Sequence, residues 1–224
     1  MLLLRYCLLG VCWLSCLPAA WASGEDFARA GRYLDNQDVR RNYLNTSRFL
    51  ISGYAIVLVG TPQQVMRISQ WLDEISRVPV GRDTLEAIQA SGNQLTIRHS
   101  RAALLASGRT RAPVTDDLTN GHGADVEILF DARIPEEGSH KVFDSKHRTI
   151  EFTAVENLFH ELVHAKHMSN GTWRYFDSEG QAIEEENVFR VQLGQRRGMN
   201  QVSQRAAVDG LQIWWPDNDG RVEH

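Results

Sequence analysis

The sequence predicts a single α+β domain behind a short leader. Three observations predict it. Apolar runs of strand length alternate with segments of helical periodicity. No internal repeat, linker or low-complexity tract divides the chain. A strongly capped helix carries the only cluster of chemically distinctive residues. The 224 residues are enough for one compact unit.

The leader comes first. Arg5 is the only charge before residue 23, and an apolar run from Tyr6 to Leu17 ends at Pro18 and Ala20-Trp21-Ala22. A basic start, a short apolar stretch and small residues at the A-x-A positions describe a secretory signal peptide over residues 1–22. Cleavage is expected after Ala22, which sends the product to the periplasm or outside the cell. Such a run is too short for a permanent membrane anchor, so no stable membrane association is expected after cleavage. Cys7, Cys12 and Cys16, the three cysteines, all lie in it. The mature chain would hold no disulfide, and any metal site in it must use His, Asp or Glu.

Residues 23–53 are polar and read as a loosely held N-terminal segment with a short helix. The domain is expected from residue 54 to residue 224. "YAIVLVG" (54–60) is a buried strand ending in glycine. Thr61 caps the next helix, Pro62 takes its first position, and Val65, Ile68, Leu72 and Ile75 form its apolar face. A turn at Pro79 to Gly81 leads to a helix over 82–90, and "LTIR" (95–98) is a strand. Residues 107–124, rich in Gly, Thr, Asn and Asp, read as a long flexible loop. "VEILFD" (126–131) is a strand, 132–149 is turn-rich, and "TIEF" (149–152) is a short strand.

A capping box, Thr153-x-x-Glu156, then opens a helix over 154–168 that stops at Ser169-Asn170-Gly171. It contains "HELVH", His160 to His164. Positions i and i+4 share a face about 6 Å apart along the axis, from which two imidazoles can converge on one ion. A catalytic zinc site takes three protein ligands and leaves a fourth position for water. Glu161, on the adjoining face, can take a proton from the attacking water and deliver it to the leaving amine. His167 lies seven residues beyond His160, roughly 10 Å along the axis, so it is not expected to share that ion.

The third ligand must come from elsewhere, and "GQAIEEENVFRVQLGQRRG" (180–198) is the best source. It reads as a helix with Ala182, Phe189 and Leu193 on one face. Glu185 is preferred, Glu186 is the alternative and Glu184 ranks last; Asp177 and Glu179 are outside candidates in the preceding loop. Tyr175, Arg190 and His167 are candidate donors to a transition-state oxyanion. "IWWPDNDG" (213–220) is expected to pack on the domain.

"ENLFHELVHAKH" with the downstream "EEENVFR" resembles the zinc metallopeptidase family of NleD-like type III effectors, which is gluzincin-like. The cadence of residues 60–98 adds to the likeness, which covers about residues 54–200. The resemblance implies a single zincin-like metallopeptidase domain that cuts proteins of a host or competitor cell.

The expected function is therefore a secreted zinc-dependent endopeptidase with one zinc ion per chain and a protein or peptide substrate. The alternatives are a non-catalytic zinc-stabilised binding domain and a zinc hydrolase of a non-peptide substrate. Net charge is −4, which offers no basic field for nucleic acid.

Overall fold

The computed structural model describes residues 56–100, 108–113, 115–137 and 140–207, with the strand backbones at 32–34 and 47–51. The leader, its cysteines and the tryptophan-bearing tail lie outside the described residues.

Among the described residues, eight strands and four helices follow one another. Strands β1 (Arg32–Leu34), β2 (Ser47–Ile51) and β3 (Ile56–Gly60) lead to helices α1 (Pro62–Ser76) and α2 (Pro79–Ala90). Then come β4 (Leu95–His99), β5 (Gly108–Arg111), β6 (Val126–Phe130), β7 (His140–Phe143) and β8 (Thr149–Phe152). Helices α3 (Ala154–Ser169) and α4 (Ser178–Arg196) close the described chain. The expected α+β domain is present.

The main sheet has the order β1-β2-β3-β4-β6-β5. Its centre, β3, β4 and β6, is parallel; β1, β2 and β5 run antiparallel to their neighbours. Parallel neighbours need a crossover, and α1 and α2 supply it between β3 and β4. Strands β7 and β8 form a separate two-stranded hairpin that delivers the chain to α3.

Alternation of side chains along the strands decides which face is covered. Ile56, Leu58, Leu95, Ile97, Val126, Ile128 and Phe130 all point into one core with the apolar stripes of the helices. The centre of that layer is α3, whose apolar residues are buried on every side. A helix buried all round is a core element rather than a surface one. Its polar residues are thereby held in place by packing.

Three expectations from the sequence are corrected. Pro79 to Gly81 is the first turn of α2 and not a separate turn, because proline at the first helical position has no intrahelical N–H to lose. The stretch 107–124 is not one long loop. Gly108–Arg111 pairs with β6 as the edge strand β5. The remainder is pinned to the end of α3: Ala124 N–H donates to Met168 O (3.2 Å) and Gly121 N–H to Gly171 O (3.1 Å). Finally, strands β1 and β2 lie in the segment read as loose, and β7 lies in the segment read as turns.

Candidate active site

The site is built on α3. Thr153 accepts a hydrogen bond from Glu156 N–H (3.3 Å), and Glu156 Oε2 accepts one from Thr153 N–H (2.8 Å). This reciprocal cap satisfies donors that the first turn leaves orphaned. Arg190 of α4 reaches Glu156 Oε2 (3.1 Å), so the cap is also tied to the neighbouring helix. At the far end Gly171 adopts a φ of +65°, which lets the chain leave α3 sharply toward α4.

His160 and His164 face each other with their Nε2 atoms 3.1 Å apart. The Glu179 carboxylate, in the first turn of α4, meets both: Oε2 is 3.3 Å from His160 Nε2, and Oε1 is 3.2 Å from His164 Nε2. These three residues are the one trio of metal-ligating type that converges among the described residues. A tetrahedral zinc ion with bonds near 2.0–2.1 Å holds its ligand atoms about 3.3 Å apart. Two imidazole nitrogens 3.1 Å apart, each 3.2 to 3.3 Å from one of the two oxygens of a single carboxylate, therefore suit that ion in donor chemistry and in approximate spacing.

Behind His160 lies a fully buried carboxylate. Glu186 Oε2 is 3.0 Å from His160 Nδ1 and 2.9 Å from Arg205, and Arg190 stands 3.7 Å from the other oxygen. A buried charge needs such company, since an unpaired one is strongly disfavoured. Burial alone would raise the Glu186 pKa; His160 and the two guanidinium groups bring it below the usual carboxylate range. His160 thus has a carboxylate at each ring nitrogen. Burial opposes its charged form, but Glu179 and Glu186 outweigh it and raise the imidazole pKa to about 9. Burial likewise opposes ionisation of Glu179, and the two histidines hold its carboxyl well below the ordinary range.

Glu161 sits beside this trio and is itself buried. Its Oε2 accepts a hydrogen bond from the Thr110 hydroxyl of β5 (2.5 Å). A cleft of about 350 Å³ opens over the group. Its walls include Thr110, Phe152, Trp173 and Arg205 beside Glu161 and the trio. Trp173 packs edge-on to the His164 ring at 5.2 Å between centroids. A larger cavity, about 610 Å³, opens on the opposite sheet face, where Glu127 pairs with both Arg98 and Arg111. No convergent group of metal-ligating type is found there among the described residues.

The candidate third ligands lie in different surroundings. Glu185 points away from the two Nε2 atoms: it pairs with Lys166 and, at 2.9 Å, with His167 Nε2. Glu186, the alternative, touches His160 on its other nitrogen. Glu184 is largely exposed near Arg174. The carboxylate that meets both histidines is Glu179, which the sequence offered only as an outside candidate. The reason is the start of α4: it begins at Ser178, so Glu179 is in its first turn and not in a loop. His167 stands outside the trio, as expected, with its Nδ1 on the Thr172 hydroxyl (2.8 Å). The three candidate oxyanion donors have other partners: Arg190 has Glu156 and backbone carbonyls, Tyr175 has Thr115 O, and His167 has Glu185. Arg205, Thr110 and Trp173 border the cleft and carry no motif in the sequence.

The Peptidase M91 family model, described as an effector protein family, matches residues 56–222. The chain belongs to this family. By its name, that family is one of peptidases. No curated protein matches it. Among solved structures it is similar to light chains of botulinum neurotoxins. The zinc-removed type C light chain is 14% identical, with a TM-score of 0.46, over 66% of this chain and 53% of that one. The serotype F light chain of Clostridium botulinum is 13% identical, with a TM-score of 0.45, over 64% and 53%. The chain spans about half the length of these light chains.

Proposed function

We propose that this M91 peptidase is a secreted effector that hydrolyses peptide bonds in target proteins, with one zinc ion per chain held by His160, His164 and Glu179. The observation that carries the reading is the spacing of 3.1 to 3.3 Å among those three side chains, with Glu161 alongside. Secretion rests on the leader-like first 22 residues and delivery to a target cell on the effector family.

When bound, zinc supplies Lewis-acid chemistry, making water nucleophilic near neutral pH and polarising a scissile carbonyl. The rest of the work belongs to the chain. Glu161 takes the proton of the attacking water and returns it to the departing amine. Glu186 holds His160 through Nδ1, so that Nε2 faces the centre of the trio. Trp173 and Phe152 brace His164 and His160 edge-on and keep the rings from turning.

The test is metal content and proteolysis of the purified chain. Glu179→Ala is expected to lose zinc and Glu185→Ala to retain it. Glu161→Gln is expected to keep zinc and lose cleavage of a mixed-sequence peptide pool. Zinc retained in Glu179→Ala and lost in Glu185→Ala would reverse the ligand assignment. Cleavage at the wild-type rate by Glu161→Gln would remove the mechanism.

A further inference from the structure

The edge strand β5 touches the reacting centre at two residues that no motif marks. Thr110 Oγ1 lies 2.5 Å from Glu161 Oε2 and 3.1 Å from the backbone carbonyl oxygen of the same residue. Both acceptors belong to Glu161, so the hydroxyl stays bonded to it whichever one its single proton faces. Two residues earlier, Gly108 lies on the same face of the strand. A Cβ built there would stand 2.6 Å from Glu161 Cγ and 2.9 Å from Glu161 Oε1. Those distances are too short for any side chain, so the glycine opens the space that the glutamate fills. The Gly108 backbone does not adopt the left-handed conformation, so alanine there meets no backbone objection.

Strand β5 is placed to do this by the sheet. Its pairing with β6 fixes its register, with Gly108 opposite Phe130 and Thr110 opposite Ile128. Phe130 and Ile128 are both core residues, so β5 cannot slide without exposing its glycine and threonine face. The carboxylate is thereby gripped between a helix on one side and a registered strand on the other.

We propose that Thr110 and Gly108 are positioning residues for Glu161: the hydroxyl anchors the carboxylate, and the missing side chain leaves it room. The inference rests on Glu161 being the base of the reaction proposed above. A base that must meet the proton of an attacking water gains from a fixed position. Misplacement by about 1 Å can cost roughly a hundredfold in rate. The contacts that define both residues' place are to Glu161 and not to a metal-ligating side chain, so zinc binding should be indifferent to them.

The experiment compares the zinc-loaded full chain with Thr110→Val, Thr110→Ser, Gly108→Ala and Glu161→Gln. The probe is one quenched fluorescent peptide that the wild type cleaves, drawn from a mixed-sequence pool. Thr110→Val should lower kcat by about ten- to a hundredfold while KM, zinc per chain and Tm stay at wild-type values. Thr110→Ser, which keeps the hydroxyl, should restore kcat to within about threefold. Gly108→Ala should lower kcat in the same way, and its crystal structure should show the Glu161 carboxylate displaced. Should Thr110→Val lower Tm, the serine and alanine variants carry the test. Wild-type kcat in both Thr110→Val and Gly108→Ala overturns the proposal, as does a serine variant no better than valine or a loss that follows zinc content. A Glu161→Gln enzyme that still turns over rejects the base itself. An inactive Glu161→Gln beside a fully active Thr110→Val rejects only the positioning role.

Discussion

At the scale of single residues, His160 shows how one side chain can join two tasks. Glu179 on one nitrogen and Glu186 on the other raise its pKa to about 9 against the opposing effect of burial. A zinc ligand must be a neutral imidazole, so zinc has to displace a proton. Zinc affinity is therefore expected to climb with pH up to about 9, by as much as tenfold per unit, and then to level off. Competition with a chelator at several pH values measures it; a flat profile between pH 6 and 8 would contradict the assignment. Stability of the metal-free protein runs the other way. A folded-state pKa above the unfolded value of about 6.5 contributes fully below that pH. The contribution is lost as pH rises through about 9. The identities of His160, Glu161 and His164 as a set were legible in the sequence, because helical spacing alone brings them together. Thr110 was not, because only strand pairing carries it to Glu161.

At the scale of elements, α3 and α4 form the working unit. The Phe159 and Phe189 rings stack at 4.2 Å between centroids, 10° from parallel, and both are fully buried. This contact sets the distance across which Glu179 and Glu186 reach the histidines. Phe189→Ala is expected to destabilise the fold by about 3–5 kcal/mol and to weaken zinc binding with it. Urea unfolding with and without zinc measures both; a loss under 1 kcal/mol would mean that the helices are held together elsewhere. The sequence did contain a usable signal for Glu179. Glu179, Ala182, Glu186, Phe189 and Leu193 follow the 3-4-3-4 spacing of one buried helical stripe. Glu185 falls off that stripe, toward Lys166 and His167. Placing the helix start two residues late hid the pattern, and helix ends are where sequence patterns are weakest.

At the scale of the whole molecule, the sheet presents a helix-covered face and a charged opposite face. On the latter, Glu127 of β6 binds Arg98 of β4 and Arg111 of β5, and so ties three strands together. Burial works against the ionised Glu127, yet the two arginines hold its pKa below the ordinary 4.5. A carboxyl depressed on folding stabilises above its unfolded pKa and stops doing so as pH falls through the folded one. Acid unfolding below about pH 4.5 is thus expected to be less steep in Glu127→Gln, which should also be less stable at pH 7. Thermal melts from pH 7 to pH 3 test this; parallel pH profiles for the two proteins would show that the cluster contributes nothing.

The sequence by itself determined the α+β class, the capped helix and the three residues His160, Glu161 and His164 on it. All of these follow from local periods and local caps, which a linear chain displays directly. The tertiary structure decided which acidic residue faces the histidines, which buried carboxylate stands behind them, and which strand grips the glutamate. Glu179, Glu186 and Thr110 lie 19, 26 and 50 residues from His160 along the chain. What unites them is sheet register and helix packing, and those depend on how distant faces bury one another rather than on any spacing along the sequence.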